Sequence, residues 1–224
     1  MVKIYADGAN LDEMKSLAPK VDGFTTNPSL MRKAGVTDYL AFCRAAAALG
    51  KPISFEVFAD EFAEMKRQAR LLAALGSNVY VKIPITNTRG ESSAGLITQL
   101  SAQGIKVNVT AVFTMNQVQT VEGALTSTPA IISIFSGRIA DTGIDPKVAC
   151  RFARKICRPE TEVLWASTRE LINIKQAEAC GCDIITVPND ILRKMPLFAK
   201  DLAEYSLETV RMFHDDAKAS GFTL

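Results

Sequence analysis

The feature that most constrains this chain is a strand-like segment followed by an amphipathic helical one, repeated eight times. Short β-branched or aromatic runs predict strands at Lys3–Ala6, Gly23–Thr25, Ile53–Val57, Asn78–Ile83, Lys106–Val109, Ile131–Phe135, Val163–Ser167 and Asp183–Val187. Helical periodicity fills the gaps at Leu11–Leu17, Tyr39–Leu49, Glu61–Leu75, Ser92–Gln103, Asn116–Leu125, Pro146–Ile156 and Arg169–Cys180. Gly50, Gly76, Gly104 and Gly181 stand where C-terminal caps belong, and Asn10-x-x-Glu13, Thr114-x-x-Gln117 and Ser167-x-x-Glu170 read as capping boxes. With no hairpin signal between strands, the alternation predicts a parallel sheet, and eight such units close into an α/β fold of the (β/α)8 TIM-barrel type. A doubly wound open sheet is the alternative. It would carry a glycine-rich phosphate loop after its first strand, where Ala6-Asp7-Gly8-Ala9 has a single glycine.

No linker or low-complexity stretch interrupts residues 1–224, so one barrel domain is expected. A helix is left over after the eighth strand and a short Asn189–Met195 turn, over Leu197–Ala219, with Phe198, Leu202, Tyr205, Val210 and Phe213 near one stripe. It either covers an open end of the barrel or reaches onto a neighbouring subunit.

Composition narrows the chemistry more than the fold. The net charge of +2, with no run of like charges, argues against nucleic acid or an anionic membrane as the main partner. No apolar run approaches the ~18 residues of a membrane span and no secretory h-region follows Met1, so a cytoplasmic enzyme is the expectation. Five cysteines without a C-x-x-C pair read as small core residues kept reduced. The only histidine is His214, in the last helix, so serine–histidine and cysteine–histidine catalysis and histidine-rich zinc sites are effectively excluded. Chemistry must run on Lys, Asp, Glu, Thr, Ser and Asn.

Strand side chains alternate, and on several strands the polar ones share a parity. Tyr5 and Asp7 oppose Ile4 and Ala6; Ser54 and Glu56 oppose Phe55 and Val57; Asn108 and Thr110 oppose Val107 and Val109; Ser133 and Phe135 oppose Ile132 and Ile134. In a barrel the apolar set then faces the helices and the polar set the axis. Within Asn78-Val-Tyr-Val-Lys-Ile-Pro-Ile-Thr86, Lys82 falls on the inward parity of an otherwise buried run. A lysine there either snorkels to water or becomes a neutral amine, which is a nucleophile toward carbonyls. Asp7, Asn27, Glu56, Lys82, Asn108, Thr110 and Ser133 all lie at or just past the C-terminal ends of their strands, where barrel active sites are built. A purely structural polar cluster is the alternative, and it would need every group paired.

An amine that condenses with a ketone gives an imine, and the imine draws electrons so that a carbon–carbon bond two atoms away can break. Glu56 is the candidate for protonating and dehydrating the carbinolamine, through a water held by Thr110. Asp7 is placed to take the hydroxyl proton of the carbon that becomes an aldehyde, while Asn27, Asn108 and Ser133 orient the substrate through neutral hydrogen bonds. Farther along, Ser136-Gly-Arg138 and Ala166-Ser-Thr-Arg169 bring Arg138, Arg169 and the Ser167 hydroxyl to the barrel end, beside an expected helix start, which suits a phosphate. Ser167 could equally be only a helix cap.

Together these motifs resemble the short members of the transaldolase family, from Asp7 to about Pro188. Tyr5-Ala-Asp7, Asp22-Gly-Phe-Thr-Thr-Asn-Pro-Ser-Leu30, Val81-Lys-Ile-Pro84, Asn108-Val-Thr110, Phe135-Ser-Gly-Arg138 and Ala166-Ser-Thr-Arg169 carry the resemblance. It implies a class I enzyme without metal or cofactor that moves a dihydroxyacetone unit between phosphorylated sugars. Expected donors are sedoheptulose 7-phosphate or fructose 6-phosphate, and expected acceptors erythrose 4-phosphate or glyceraldehyde 3-phosphate. Lys82 matches the Schiff-base lysine, Asp7 and Glu56 the acid–base carboxylates, and Thr110 the partner of the catalytic water. Asn27, Asn108, Ser133, Thr26 and Phe135 match substrate-side residues, and Arg138, Ser167 and Arg169 the phosphate contacts. Relatives that release free dihydroxyacetone as fructose 6-phosphate aldolases typically carry glutamine for Glu56 and tyrosine for Phe135, so both residues favour transfer. The resemblance also implies a homo-oligomer, a pentamer or decamer, with the last helix reaching a neighbour.

Overall fold

A computed structural model describes residues 1–221 and 223. Eight parallel strands close into a barrel in sequence order, β1 (Lys3–Asp7), β2 (Gly23–Thr25), β3 (Ile53–Glu56), β4 (Val79–Pro84), β5 (Val107–Val112), β6 (Ala130–Ile134), β7 (Thr161–Trp165) and β8 (Ile184–Pro188). The last strand pairs with the first from Lys3 opposite Ile184 to Asp7 opposite Pro188, so the sheet has no free edge. The (β/α)8 expectation holds, and the open-sheet alternative falls on that closure.

Between the strands run α1 (Leu11–Leu17), α2 (Pro28–Lys33), α3 (Tyr39–Ala47), α4 (Phe62–Ala73), α5 (Ala94–Ala102), α6 (Met115–Ala124), α7 (Ser136–Asp141), α8 (Lys147–Ile156), α9 (Asn173–Ala179) and α10 (Asn189–Leu192). Their starts follow side-chain chemistry. Asn10 accepts the amides of Asp12 and Glu13, and Thr114 with Gln117 forms a complete capping box. Gly50, Gly104 and Gly181 take left-handed φ values of 74°, 75° and 74° just past helix ends, a conformation that costs other residues a Cβ clash.

Several expectations need correction. Gly76 is not a left-handed cap; a Cβ there would lie 2.5 Å from Asn78 Oδ1, so its bareness makes room for that side chain. The helix expected from Arg169 begins at Asn173, because Asn173 Oδ1, not the Ser167 hydroxyl, accepts the amides of Arg169 and Glu170. Strand β7 lies two residues earlier than its predicted Val163–Ser167 span, and β5 runs on to Val112 through a bulge. The Asn189–Met195 turn contains a helical turn, α10, and the short α2 and α7 were not predicted.

The outward parity packs on the helices as expected. Phe55, Val81, Ile83, Val109 and Ile132 are completely buried there, against helix residues such as Met65, Ile97, Leu100 and Val118. Full burial of each such side chain contributes about 1.5–3 kcal/mol before the entropy of ordering it. All five cysteines are buried and reduced. Inside the barrel, the lower layer is apolar: Tyr5, Ile131, Leu164, Ala166 and Ile184 cluster, with Tyr80 and Phe135 packed against them. Below it, Lys3 meets Glu162 at 2.5 Å near the N-terminal mouth.

Met1–Leu192 and Arg193–Leu224 are two compact units. The second carries α11 (Leu202–Ser220), which starts later than the predicted Leu197 because Asp201 caps it, accepting the amides of Ala203 and Glu204. No residue of α11 is buried, and its large apolar side chains, including Tyr205, Val210 and Phe213, are exposed. Among the described residues, no helix is long and apolar enough to cross a membrane.

Candidate active site

At the C-terminal ends of the strands the inward parity changes from apolar to polar and opens into a cavity of about 540 Å³. Asp7, Asn27, Glu56, Lys82, Thr110, Ser133, Phe135, Arg138, Ser167 and Arg169 all line it. Thr26 and Asn108, expected beside substrate, do not; both are completely buried and act one layer back.

Lys82 stands at the centre. Its neighbours Val81 and Ile83 anchor β4 outward at 0% exposure, which turns the lysine, 7% exposed, toward the axis. The Lys82 Nζ donates to the Thr26 carbonyl at 2.7 Å and lies 3.7 Å from Glu56 Oε2. Strand register fixes that second pairing, since Glu56 sits directly opposite Lys82 across β3 and β4. The backbone carbonyl of Glu56 is held in turn by the Tyr39 hydroxyl at 2.5 Å. Burial raises the Glu56 carboxyl above its ordinary value, opposed by the charge and hydrogen bond of Lys82. Burial raises Asp7 as well, opposed by Lys82 and by a hydrogen bond from Thr25. Two carboxyls biased toward holding a proton thus face one amine, an arrangement able to cycle protons near neutral pH.

On the other side of Lys82, Asn108 is its register partner on β5. The Asn108 amide donates to Ser54 Oγ at 2.9 Å, and its oxygen accepts from Ser133 Oγ at 2.7 Å. Of that trio only Ser133 reaches the cavity, so Asn108 positions it. Thr26 ties β2 to β3 by donating to the Ser54 carbonyl at 3.0 Å, and what it offers Lys82 is its backbone oxygen. Asn27 lines the cavity while its Oδ1 caps α2 through the Leu30 amide at 3.0 Å.

Thr110 differs from all of these. Its hydroxyl is buried and has no hydrogen-bond partner among the described residues. The next residue, Ala111, has φ of 57°, where the register between β5 and β6 slips. A left-handed alanine costs of order 1–3 kcal/mol, and such strain is typically retained where a side chain must be aimed. An unpaired buried hydroxyl beside Lys82 and Pro84 is ready to hold a water or substrate group.

The rim beyond β6 and β7 is cationic. Arg138 lies over the Phe135 ring at 5.4 Å and has no acidic partner among the described residues, whereas Arg169 gives Nη2 to Asp141 at 2.7 Å. Ser167 lies between them in the left-handed region at φ of 63°, not in a helix cap. Both arginines and the hydroxyl open on the cavity, a set suited to a phosphate group.

Among the cavity residues given no role from the sequence are Thr25 and Thr186. Thr25 Oγ1 donates to Asp7 Oδ1 at 2.7 Å, and the same oxygen is in close hydrogen-bond contact with the Thr186 hydroxyl. Thr186 alternates with Ile185 and Val187 on β8, the one trace in the sequence, while the alignment of Thr25 with Asp7 comes only with the strand register.

Comparison with known proteins gives the family of the chain. Residues 4–224 match the family model described as Transaldolase/Fructose-6-phosphate aldolase. A protein of Methanococcus maripaludis named "Probable transaldolase" is 35% identical over 222 residues, covering 94% of this chain and 100% of that protein. Another of the same name from Dehalococcoides mccartyi is 36% identical over 214 residues, 91% of this chain and 96% of that one. Among solved structures, CutC of Streptococcus agalactiae, named for copper homeostasis, superposes with a TM-score of 0.62 at 13% identity, over 83% of this chain and 98% of that chain. That last likeness is one of fold alone.

Proposed function

The chain belongs to the transaldolase/fructose-6-phosphate aldolase family, and from that premise we propose that it transfers a dihydroxyacetone unit from a ketose phosphate to an aldose phosphate through a Schiff base on Lys82. The observation that carries the reading is the buried Lys82 amine, 3.7 Å from the Glu56 carboxylate and sharing a cavity with Asp7 and the unpaired Thr110 hydroxyl.

In this reading the Lys82 nitrogen bonds to C2 of the ketose, the Glu56 carboxyl gives its proton to the carbonyl oxygen, which becomes the carbinolamine hydroxyl, and the nitrogen returns a proton to Glu56. The carbinolamine hydroxyl then leaves as water, taking a proton from the Glu56 carboxyl by way of a water at Thr110, and an iminium remains. Asp7 removes the C4 hydroxyl proton, the C3–C4 bond breaks, and its electrons move to the iminium nitrogen to leave an enamine. The departing carbon is now the aldehyde of an aldose phosphate. An acceptor aldose enters, C3 attacks its carbonyl, and Asp7 returns the proton; hydrolysis of the new imine frees Lys82. Ser133 and Asn27 orient hydroxyls, and Arg138, Ser167 and Arg169 hold the phosphate.

The second reading is an aldolase that releases free dihydroxyacetone. It differs in one proton, because the enamine must be protonated at C3 before water can discharge it. Phe135 lines the cavity and its phenyl ring has no proton to give, which favours transfer. An oligomer is part of the proposal, with the exposed apolar side chains of α11 as its support, and so is a cytoplasmic setting.

Borohydride reduction in the presence of fructose 6-phosphate tests the mechanism. A covalent adduct on the Lys82 peptide is expected, and no adduct, or one on another lysine, sinks the mechanism. Coupled assays with and without erythrose 4-phosphate separate the two readings, since acceptor-independent release of glyceraldehyde 3-phosphate at a comparable rate favours the aldolase.

A further inference from the structure

We infer that Thr186 and Thr25 form a one-directional hydroxyl chain that positions Asp7, a role that rests on the Schiff-base reading above. The direction follows from counting protons. Each hydroxyl has one proton to give. Thr25 commits its proton to Asp7 Oδ1 at 2.7 Å, so in the contact between the two threonine hydroxyls Thr186 is the donor and Thr25 the acceptor. The Thr186 backbone is fixed as well, since its carbonyl accepts the Thr168 hydroxyl at 2.7 Å.

The three groups come from adjacent strands, β8, β1 and β2, which meet where the barrel closes. Thr25 and Thr186 are 1% and 5% exposed, and neither donates to a backbone carbonyl as the neighbouring Thr26 does. A buried threonine that spends its proton on a carboxylate, with a second threonine spending its own on the first, fixes the rotamer of the middle hydroxyl. Asp7 Oδ1 is then occupied and Oδ2 is the oxygen left to take the substrate proton. The charged groups around Asp7 are Lys82, which favours its anion, and Glu56, whose own carboxyl the Asp7 charge pushes upward. Thr25 adds to the effect of Lys82, so the chain favours the Asp7 anion in opposition to its burial. Its contribution falls on carbon–carbon cleavage and not on imine formation, which Glu56 serves.

Thr25→Val and Thr186→Val keep the branched shape and remove the donors, and Thr186→Ser restores the hydroxyl. Three readouts apply: the pH profile of kcat/KM for transfer from fructose 6-phosphate to erythrose 4-phosphate, borohydride trapping on Lys82, and the melting temperature. Thr25→Val is expected to move the acidic limb upward by about one pH unit and to lower kcat roughly 10-fold. Thr186→Val moves it the same way by less, Thr186→Ser matches the unsubstituted protein, and both valine variants still trap the ketose. Thr25→Ala and Thr186→Ala carry the same readouts if valine prevents folding. An unmoved acidic limb in variants that fold, or a Thr186→Ser variant as impaired as Thr186→Val, overturns the chain. If the unsubstituted protein gives no adduct on Lys82, the Schiff-base reading fails and takes this inference with it. A trapped unsubstituted protein with an unmoved limb in the variants overturns the inference alone.

Discussion

A Cβ on Gly137 would lie 1.6 Å from the backbone carbonyl oxygen of Ser167, so the start of α7 and the loop after β7 touch through the absence of a side chain. Arg138 directly follows Gly137, and Arg169 follows Ser167 by two residues. Alanine at 137 must push two backbones apart, and overpacking of this kind costs typically about 1–3 kcal/mol. In a chain of this length Gly137→Ala should therefore lower the melting temperature by roughly 5 °C, followed by circular dichroism. It should also raise KM for phosphorylated substrates, because the two guanidinium groups separate. An unchanged melt would mean that the loops yield more readily than their geometry implies.

The two arginines are not equivalent. Arg138 has no acidic partner among the described residues, so Arg138→Ala should raise KM for a phosphorylated donor roughly 10- to 100-fold, the weight of a charge-assisted hydrogen bond, with kcat less affected. Arg169 shares its charge with Asp141 at 2.7 Å across a half-exposed pair. Asp141→Asn should then lower KM by about 2- to 5-fold, in keeping with the small worth of an exposed ion pair. A rise in KM on Asp141→Asn would show instead that the carboxylate is needed to hold Arg169 in place.

Thr110 separates stability from activity. Its buried hydroxyl has no partner among the described residues, so replacing it by a methyl group removes an uncompensated desolvation and should change stability by less than about 1 kcal/mol. The same Thr110→Val change should slow imine formation roughly 10²-fold if the hydroxyl holds the water of the proton relay. Stopped-flow trapping reads the rate, and chemical denaturation reads the stability.

Burial raises the Asp7 carboxyl above its ordinary 3.8, so the folded protein holds that proton more tightly than the unfolded chain does. At pH below 3.8 both states are protonated and nothing is lost. As pH rises, the unfolded chain ionises first, and this group's contribution to stability falls until pH has passed the folded-state value. Asp7→Asn removes that loss while keeping an acceptor for Thr25. The melting temperature of Asp7→Asn relative to the unsubstituted protein should therefore improve from acid toward pH 8, as activity is lost. A constant difference across pH would mean that Asp7 carries no such penalty.

Much of the barrel was legible because each strand is short, alternates with a period of two and is punctuated by a capped helix. Lys82, Glu56 and Asp7 were legible for a related reason, since a charged residue on the inward parity of a buried strand has few structural explanations. The chain from Thr186 to Thr25 was not. β2 is only Gly23–Thr25, too short to display an alternation, and threonine inside Ile184–Pro188 is an ordinary β-former. Ser167-x-x-Glu170 misled because Asn173 offers an equally good acceptor from the other direction, and sequence alone does not choose between them. The strain at Ala111 and Ser167 left no trace either, because neither is a glycine or asparagine that would announce a left-handed backbone.

Every strand contributes to the cavity or to the contacts just beneath it, and the pairing of β8 with β1 is what completes the ring. A chain still emerging from the ribosome therefore has Lys82 long before it has the closed cup around it. Until Pro188 has cleared the exit tunnel and docked beside Asp7, Thr25 has no Thr186 to hold it. The Lys82 amine thus acquires its full surroundings only with the last strand, so the cup around it exists only once folding has reached Pro188.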